Sequence, residues 1–176
     1  MQEEPRLDFA RLFRDHARDV HRFAMYLSGD AALADDIVSE TFIRLWNARA
    51  RIDLTTVRAY LLTIARNLFL HERRLASRRA ALDVRMPDGR PDPEVQVGFR
   101  RELHTVLAAL QSLPEIDRAA VLMRANDGMT YEEIATSLGI SLAAAKVKVH
   151  RARLRLAHER NSGPVSRSIE ETTKWK

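Results

Sequence analysis

The chain contains no cysteine, which removes disulfides, thiolate nucleophiles, iron–sulfur clusters and every cysteine zinc site at once and suits a reducing compartment such as the cytoplasm. Glycine and proline number six each in 176 residues, and aromatic residues make up only 6%. No uncharged stretch approaches the roughly 20 apolar residues of a membrane span. The N-terminal MQEEPRLDF puts acids where an export signal would carry a basic patch and an apolar core. The expectation is a cytoplasmic protein with no membrane insertion of its own. Catalytic signatures are missing too. His16, His21, His71, His104, His150 and His158 are scattered without ligand spacing, and there is neither a glycine-rich phosphate loop nor a Gly-x-Ser-x-Gly elbow. The residues thus predict a non-enzyme that needs no metal and no cofactor.

What is abundant is alanine, leucine, arginine and glutamate, while β-branched residues never alternate with polar ones over a strand's length. The fold class expected is all-α. The 29 Lys and Arg outnumber the 24 Asp and Glu, leaving a formal charge of +5, which fits a polyanionic partner.

Periodicity divides the chain into two small helical domains. Phe9, Leu12, Phe13, Val20, Phe23 and Leu27 keep helical spacing over 7–27, with Asp8 available as N-cap and Ser28-Gly29-Asp30 as the stop. A second helix is expected over 32–47, with Ile37, Val38, Phe42, Leu45 and Trp46 in an apolar stripe and Asp35, Asp36 and Glu40 outside it. A third runs over 55–79 and ends in Arg73, Arg74, Arg78 and Arg79. Residues 83–93 then hold three prolines and a glycine, which no helix tolerates. The division predicted is a domain over 7–80, a flexible linker over 81–96, a second domain over 97–160 and a polar tail over 161–176. A linker without an apolar stripe leaves the two halves as separately folded units open to protease.

The second domain carries the most specific local pattern. Thr130 and Glu133 form a capping box, Ala135 is small where a neighbouring helix must cross, Gly139 permits a tight turn and Ser141 caps the following helix. Ala145, Val149, Ala152 and Leu156 give that helix a buried stripe. Together these make a helix-turn-helix. The other side of its second helix bears Lys146, Lys148, His150, Arg151, Arg153 and Arg155 with no acid before Glu159, a charge pattern suited to a DNA major groove. The alternative for such a face is an ordinary solvated surface. Asp35, Asp36 and Glu40 admit three readings: a metal site for nuclease chemistry, an exposed ion-pair row with Arg44, and contact with a protein partner. The ion-pair row is the bland account, and the metal site is the one with least in its favour.

Beyond these residue-level readings, Ala34-Asp-Asp-Ile-Val-Ser-Glu-Thr-Phe-Ile-Arg-Leu-Trp46 resembles the second conserved region of the extracytoplasmic-function (ECF) sigma factors of bacterial RNA polymerase. Tyr60-Leu-Leu-Thr-Ile-Ala-Arg-Asn67 with Arg73-Arg74 is similar to the part of that region that handles the minus-ten promoter element. Leu113-Pro-Glu-x-x-Arg118, Glu133-Ile-Ala135, Leu138-Gly-Ile-Ser141 and Lys146-x-Lys-x-x-Arg-Ala-Arg153 resemble the fourth conserved region, which reads the minus-thirty-five element. The resemblance covers nearly everything from Phe9 to His158. It implies a non-catalytic subunit that gives core RNA polymerase its promoter specificity, with an anti-sigma factor as a further partner. Asp35, Asp36, Glu40 and Phe42 then match the helix that docks on the largest polymerase subunit. Asn47 and Arg49 fall in the loop that captures a flipped base, and Tyr60, Arg66, Asn67, Arg73 and Arg74 lie beside the opening strand. Ser141, Lys146, Lys148, His150, Arg151 and Arg153 take the minus-thirty-five element. Two departures stand out: His71 replaces the usual Asp, and Ala143, Ala144 and Ala145 offer only methyl contacts where the family has more varied side chains. The alternatives are a sigma-like decoy that binds an anti-sigma factor without initiating, and a plain helix-turn-helix repressor, which would leave the first domain's motifs unexplained.

Overall fold

A computed structural model of the chain describes residues 8–48, 56–82, 99–125 and 128–161. They form seven helices, α1 (Phe9–Ser28), α2 (Ala31–Ala48), α3 (Val57–Leu82), α4 (Phe99–Gln111), α5 (Glu115–Ala125), α6 (Tyr131–Leu138) and α7 (Leu142–Asn161), with no strand among the described residues.

Local chemistry sets the boundaries. Asp8 accepts a hydrogen bond from the Arg11 amide at 3.0 Å to start α1, and Gly29 ends it in the left-handed region at φ 77°. Asp30 belongs to the next helix as well as to the stop, because its Oδ1 accepts from the Leu33 amide at 3.1 Å and opens α2. Pro114 immediately precedes α5, and its carbonyl accepts from the amides of Asp117 and Arg118 at 3.0 and 2.9 Å. α3 continues to Leu82, two residues into the span expected as linker, since Ala80, Ala81 and Leu82 are strong helix formers. The prolines of the linker, residues 83–93, and the tail from 162 onward lie outside the described residues.

α1, α2 and α3 pack on one another as one bundle, and α5, α6 and α7 as another with α4 across it. The first bundle centres on Phe23, Leu27, Leu45, Leu61 and Leu62, none of which shows measurable exposure. Each such side chain contributes about 1.5–3 kcal/mol by leaving water. Phe9, Phe13, Phe42 and Trp46 join the start of α1 to the end of α2 through tilted and edge-on ring contacts, with Phe13 and Phe42 at 4.8 Å between centroids. The second bundle centres on Met123, Ile134 and Val149.

The two bundles also pack against each other. α1 meets α4 and α5, α3 meets α6, and the buried side chains of both halves make one contiguous cluster. The composition of the linker points to halves that stand apart; the structure instead holds them docked. Polar contacts join that apolar cluster at the seam: Arg66 donates to the carboxylate of Glu115, and Gln111 Nε2 donates to the Tyr26 carbonyl.

Candidate polymerase and nucleic-acid interfaces

Three surfaces gather the residues singled out by the sequence. On α2, Asp35 and Asp36 are exposed. Asp35 lies 3.2 Å from His21 Nε2, and Glu40 accepts from Arg44 Nε at 2.8 Å one helical turn away. Beside this acidic row stand two exposed apolar side chains, Ile43 at 55% and Trp46 at 45%. Phe42 does not share this surface. It is 2% exposed and packs against Phe9 and Phe13, because the same turn that turns Glu40 and Ile43 outward aims Thr41, Phe42 and Leu45 at the bundle interior. Phe42 therefore supports the helix from within and offers no contact to a partner.

On α3, residues seven apart fall nearly in line along a helix. Tyr60, Asn67 and Arg74 form one such row, and all three are exposed. Arg66 and Arg73 form a second row about a third of a turn away. Arg73 is exposed and stacks over the Phe69 ring at 5.7 Å. Arg66 is not free: its Nε and Nη2 donate to the two carboxylate oxygens of Glu115 on α5 at 2.7 and 2.9 Å, and the two side chains are only 11% and 13% exposed. Asn47 is exposed at the end of α2, while Arg49 lies outside the described residues.

On the second bundle, the helix-turn-helix forms as its residues predict. Thr130 accepts from the Glu133 amide at 3.2 Å while the Glu133 carboxylate accepts from the Thr130 amide at 2.7 Å. Gly139 sits at φ 65°, and the amides of Gly139 and Ile140 return to the carbonyls of Thr136 and Ala135, the pattern that closes a helix through a left-handed residue. Ser141 Oγ accepts from the Ala144 amide at 3.1 Å and so caps α7. Ala145, Val149 and Ala152 are fully buried. Of the three alanines at the start of α7, Ala145 belongs to the core, Ala144 is half-buried and Ala143 is exposed. Directly opposite the buried stripe, Val147 and Leu154 are 51% and 59% exposed.

The cations of α7 fall into two groups. His150, Arg151 and Arg153 are exposed and carry no ion pair among the described residues. Lys148 Nζ lies 3.2 Å from Asp117 Oδ1, a carboxylate whose side chain is 3% exposed. Its charge is matched inside the domain. Lys146 stands over the Tyr131 ring at 6.0 Å, with Arg124 over the same ring at 4.9 Å, a packed cation arrangement that holds Lys146 at the edge of the helix pair.

Glu115, Gln111, Asp117, Tyr131 and Val147 are the participants that sequence reasoning missed. Only Glu115 and Asp117 carried a signal, as acids in the first turn of α5, where they favour the positive end of the helix. Arg118, in the same helix, is 5% exposed, and burial, together with Arg73 nearby, pulls its pKa below the ordinary arginine value while Glu115 opposes the shift. No group of three or more His, Asp or Glu side chains able to hold a metal ion occurs among the described residues, and none of the described helices is long and apolar enough to cross a membrane.

Comparison with known proteins agrees with this geometry on both halves. Residues 12–79 match the family model of sigma-70 region 2, and residues 103–156 match that of sigma-70 region 4. The chain is 38% identical over 150 residues to the ECF RNA polymerase sigma factor SigE of Mycolicibacterium smegmatis, covering 82% of this chain and 58% of that protein. It is 35% identical over 147 residues to the ECF sigma factor SigL of Mycobacterium tuberculosis, covering 80% of this chain and 82% of that protein. Among solved structures, the sigma factor RpoE in complex with the anti-sigma factor NepR from Bartonella quintana superposes with a TM-score of 0.72 at 25% identity, over 86% of this chain and 96% of that one. Two matched regions in order, each with its own helical bundle, place this chain in the ECF family of RNA polymerase sigma factors, the non-catalytic subunits that direct promoter-specific transcription initiation.

Proposed function

We propose that this chain works in the cytoplasm, docking on core RNA polymerase through the exposed row Asp35, Asp36 and Glu40 of α2 and reading two promoter elements with its two bundles. The first, 7–80, takes the minus-ten element with Asn47, Arg49, Tyr60, Asn67, Arg73 and Arg74, joined by Arg66 once Glu115 releases it. The second, 97–160, takes the minus-thirty-five element with Lys146, His150, Arg151 and Arg153. Phosphate contacts by Arg151 and Arg153 supply affinity without sequence preference. Val147 and Ala143 add apolar contacts of the kind that distinguish a thymine methyl. Residues 81–96 span the distance between the elements. The observation that carries this reading is the pairing of two separate cation faces, on α3 and on α7, with an acidic, apolar-flanked face on α2.

An anti-sigma factor is the further partner, supported by the complex in which the similar RpoE is held by NepR. The test is run-off transcription with purified core polymerase on genomic fragments. Specific start sites that appear only with this chain are expected; none on any fragment would refute the reading. Asp36→Arg with Glu40→Arg should abolish retention of core polymerase in a pull-down while the melting temperature stays unchanged, both side chains lying outside the core.

A further inference from the structure

We infer that α7 reads the C5-methyl group of a pyrimidine through Val147, so that 5-methylcytosine is accepted in the upstream element where thymine stands and cytosine is refused. This rests on the reading of α7 as the minus-thirty-five helix and deepens it. At about 100° per residue, Ala143, Val147, His150 and Leu154 fall on one line along α7, directly opposite the stripe of Ala145, Val149, Ala152 and Leu156. All four are exposed, Val147 by 51% and Leu154 by 59%. Lys146 and Arg153 flank this crest on one side, Arg151 and Arg155 on the other, and each of these cations is exposed. An apolar crest between two rows of cations is complementary to a major groove, whose walls are anionic phosphates and whose floor carries base edges.

The crest is unlike a solvated surface. Water gives no advantage to a β-branched valine on an open helix face, where alanine, lysine or glutamate is the better helix former. Only the N-terminal part of a recognition helix reaches base edges. Leu154, about 10 Å further along the axis than Val147, therefore lies beyond them. Ala143 keeps its single methyl close to the backbone, which leaves Val147 as the longer apolar side chain at the groove floor. Lys148, the next residue, is held by Asp117 at 3.2 Å and does not compete for the same base. A valine has neither donor nor acceptor, so it is blind to the difference between the O4 of thymine and the N4 amine of cytosine. What it distinguishes is the methyl group, which thymine carries and cytosine lacks. Methylation of cytosine at C5 supplies the same group at the same edge of the groove.

The test uses holoenzyme assembled from core polymerase and the full-length chain, with a fluorescein-labelled duplex that carries a start site found by run-off transcription. Each thymine of the upstream element, on either strand, is replaced in turn by deoxyuridine, which removes the methyl and keeps every hydrogen-bonding group. One replacement should weaken binding about fourfold, the worth of one methyl leaving water. At the same position cytosine should bind no better than uracil, and 5-methylcytosine should regain about fourfold over cytosine. With Val147→Ala, thymine and uracil should bind alike there. Leu154→Ala trims the same crest and should retain the preference for thymine. Both side chains lie outside the core, so both variants keep the fold. Uracil tolerated at every position, an equal penalty in Val147→Ala, a preference lost in Leu154→Ala as well, or cytosine and 5-methylcytosine bound alike overturns the methyl readout, while the run-off start site shows that promoter recognition stands. A chain that directs no start site on any fragment refutes the reading of α7 itself, and this inference with it.

Discussion

Replacing Lys148 by alanine separates two roles that a cation on a recognition helix can play. Its ammonium sits 3.2 Å from Asp117 Oδ1, and the carboxylate has 3% of its side chain in water while the lysine keeps 23%. Deleting one partner of a fully buried ion pair costs about 3–5 kcal/mol, because the other charge is left uncompensated. Here the joint opens partly to solvent, and Asp117 retains the favourable end of α5, so we expect about 2 kcal/mol, the range of a charged hydrogen bond. For a chain of this size that corresponds to a fall in melting temperature of roughly 4–8 °C. The salt slope of promoter binding should stay where it was. By contrast, Arg151→Ala or Arg153→Ala should each reduce that slope by about 0.9, the share of one neutralised phosphate, with little change in stability. Lys148→Met with Asp117→Asn should recover much of the stability, since neither charge then remains to be buried. Thermal melts and a salt titration of DNA affinity on the same preparations decide it. A Lys148→Ala variant of unchanged melting temperature whose salt slope drops by about 0.9 would put the lysine on the DNA and refute the pairing with Asp117 as its task.

Two further outcomes follow from single positions. Gly139 lies at φ 65° with nothing within 4 Å of where a Cβ would stand, so Gly139→Ala should cost only the left-handed backbone strain, about 1–2 kcal/mol in a denaturant melt; a neutral result would mean the turn relaxes. Thr41 is fully buried and its hydroxyl has no hydrogen-bond partner, so Thr41→Val should stabilise the first bundle by about 1 kcal/mol, and a drop in stability would show that the hydroxyl finds a partner in solution.

The helices, their caps and the family were legible in the sequence because each depends on residues within a turn or two of one another. Spacing of three and four placed the core of α1 and α7, the Thr130–Glu133 pair fixed the start of α6, and Gly139 its end. The cation face of α7 was legible for the same reason, as a count of side chains left over once the apolar stripe was assigned. What a string cannot carry is which of those side chains already has a partner. Arg66 and Arg74 look alike in sequence, yet one is tied to a carboxylate 49 residues away and the other faces solvent; Lys148 and Arg153 differ in the same way through Asp117. Periodicity set Phe42 in the apolar stripe of its helix while the family resemblance assigned it to the docking surface, and packing against Phe9 and Phe13 decides for the interior. Such pairings form between elements brought together by burial of apolar surface, whose free energy is nearly indifferent to which polar groups meet at the seam. The sequence by itself therefore determined the parts and their chemistry, and the tertiary structure decided which charges remain available to a partner.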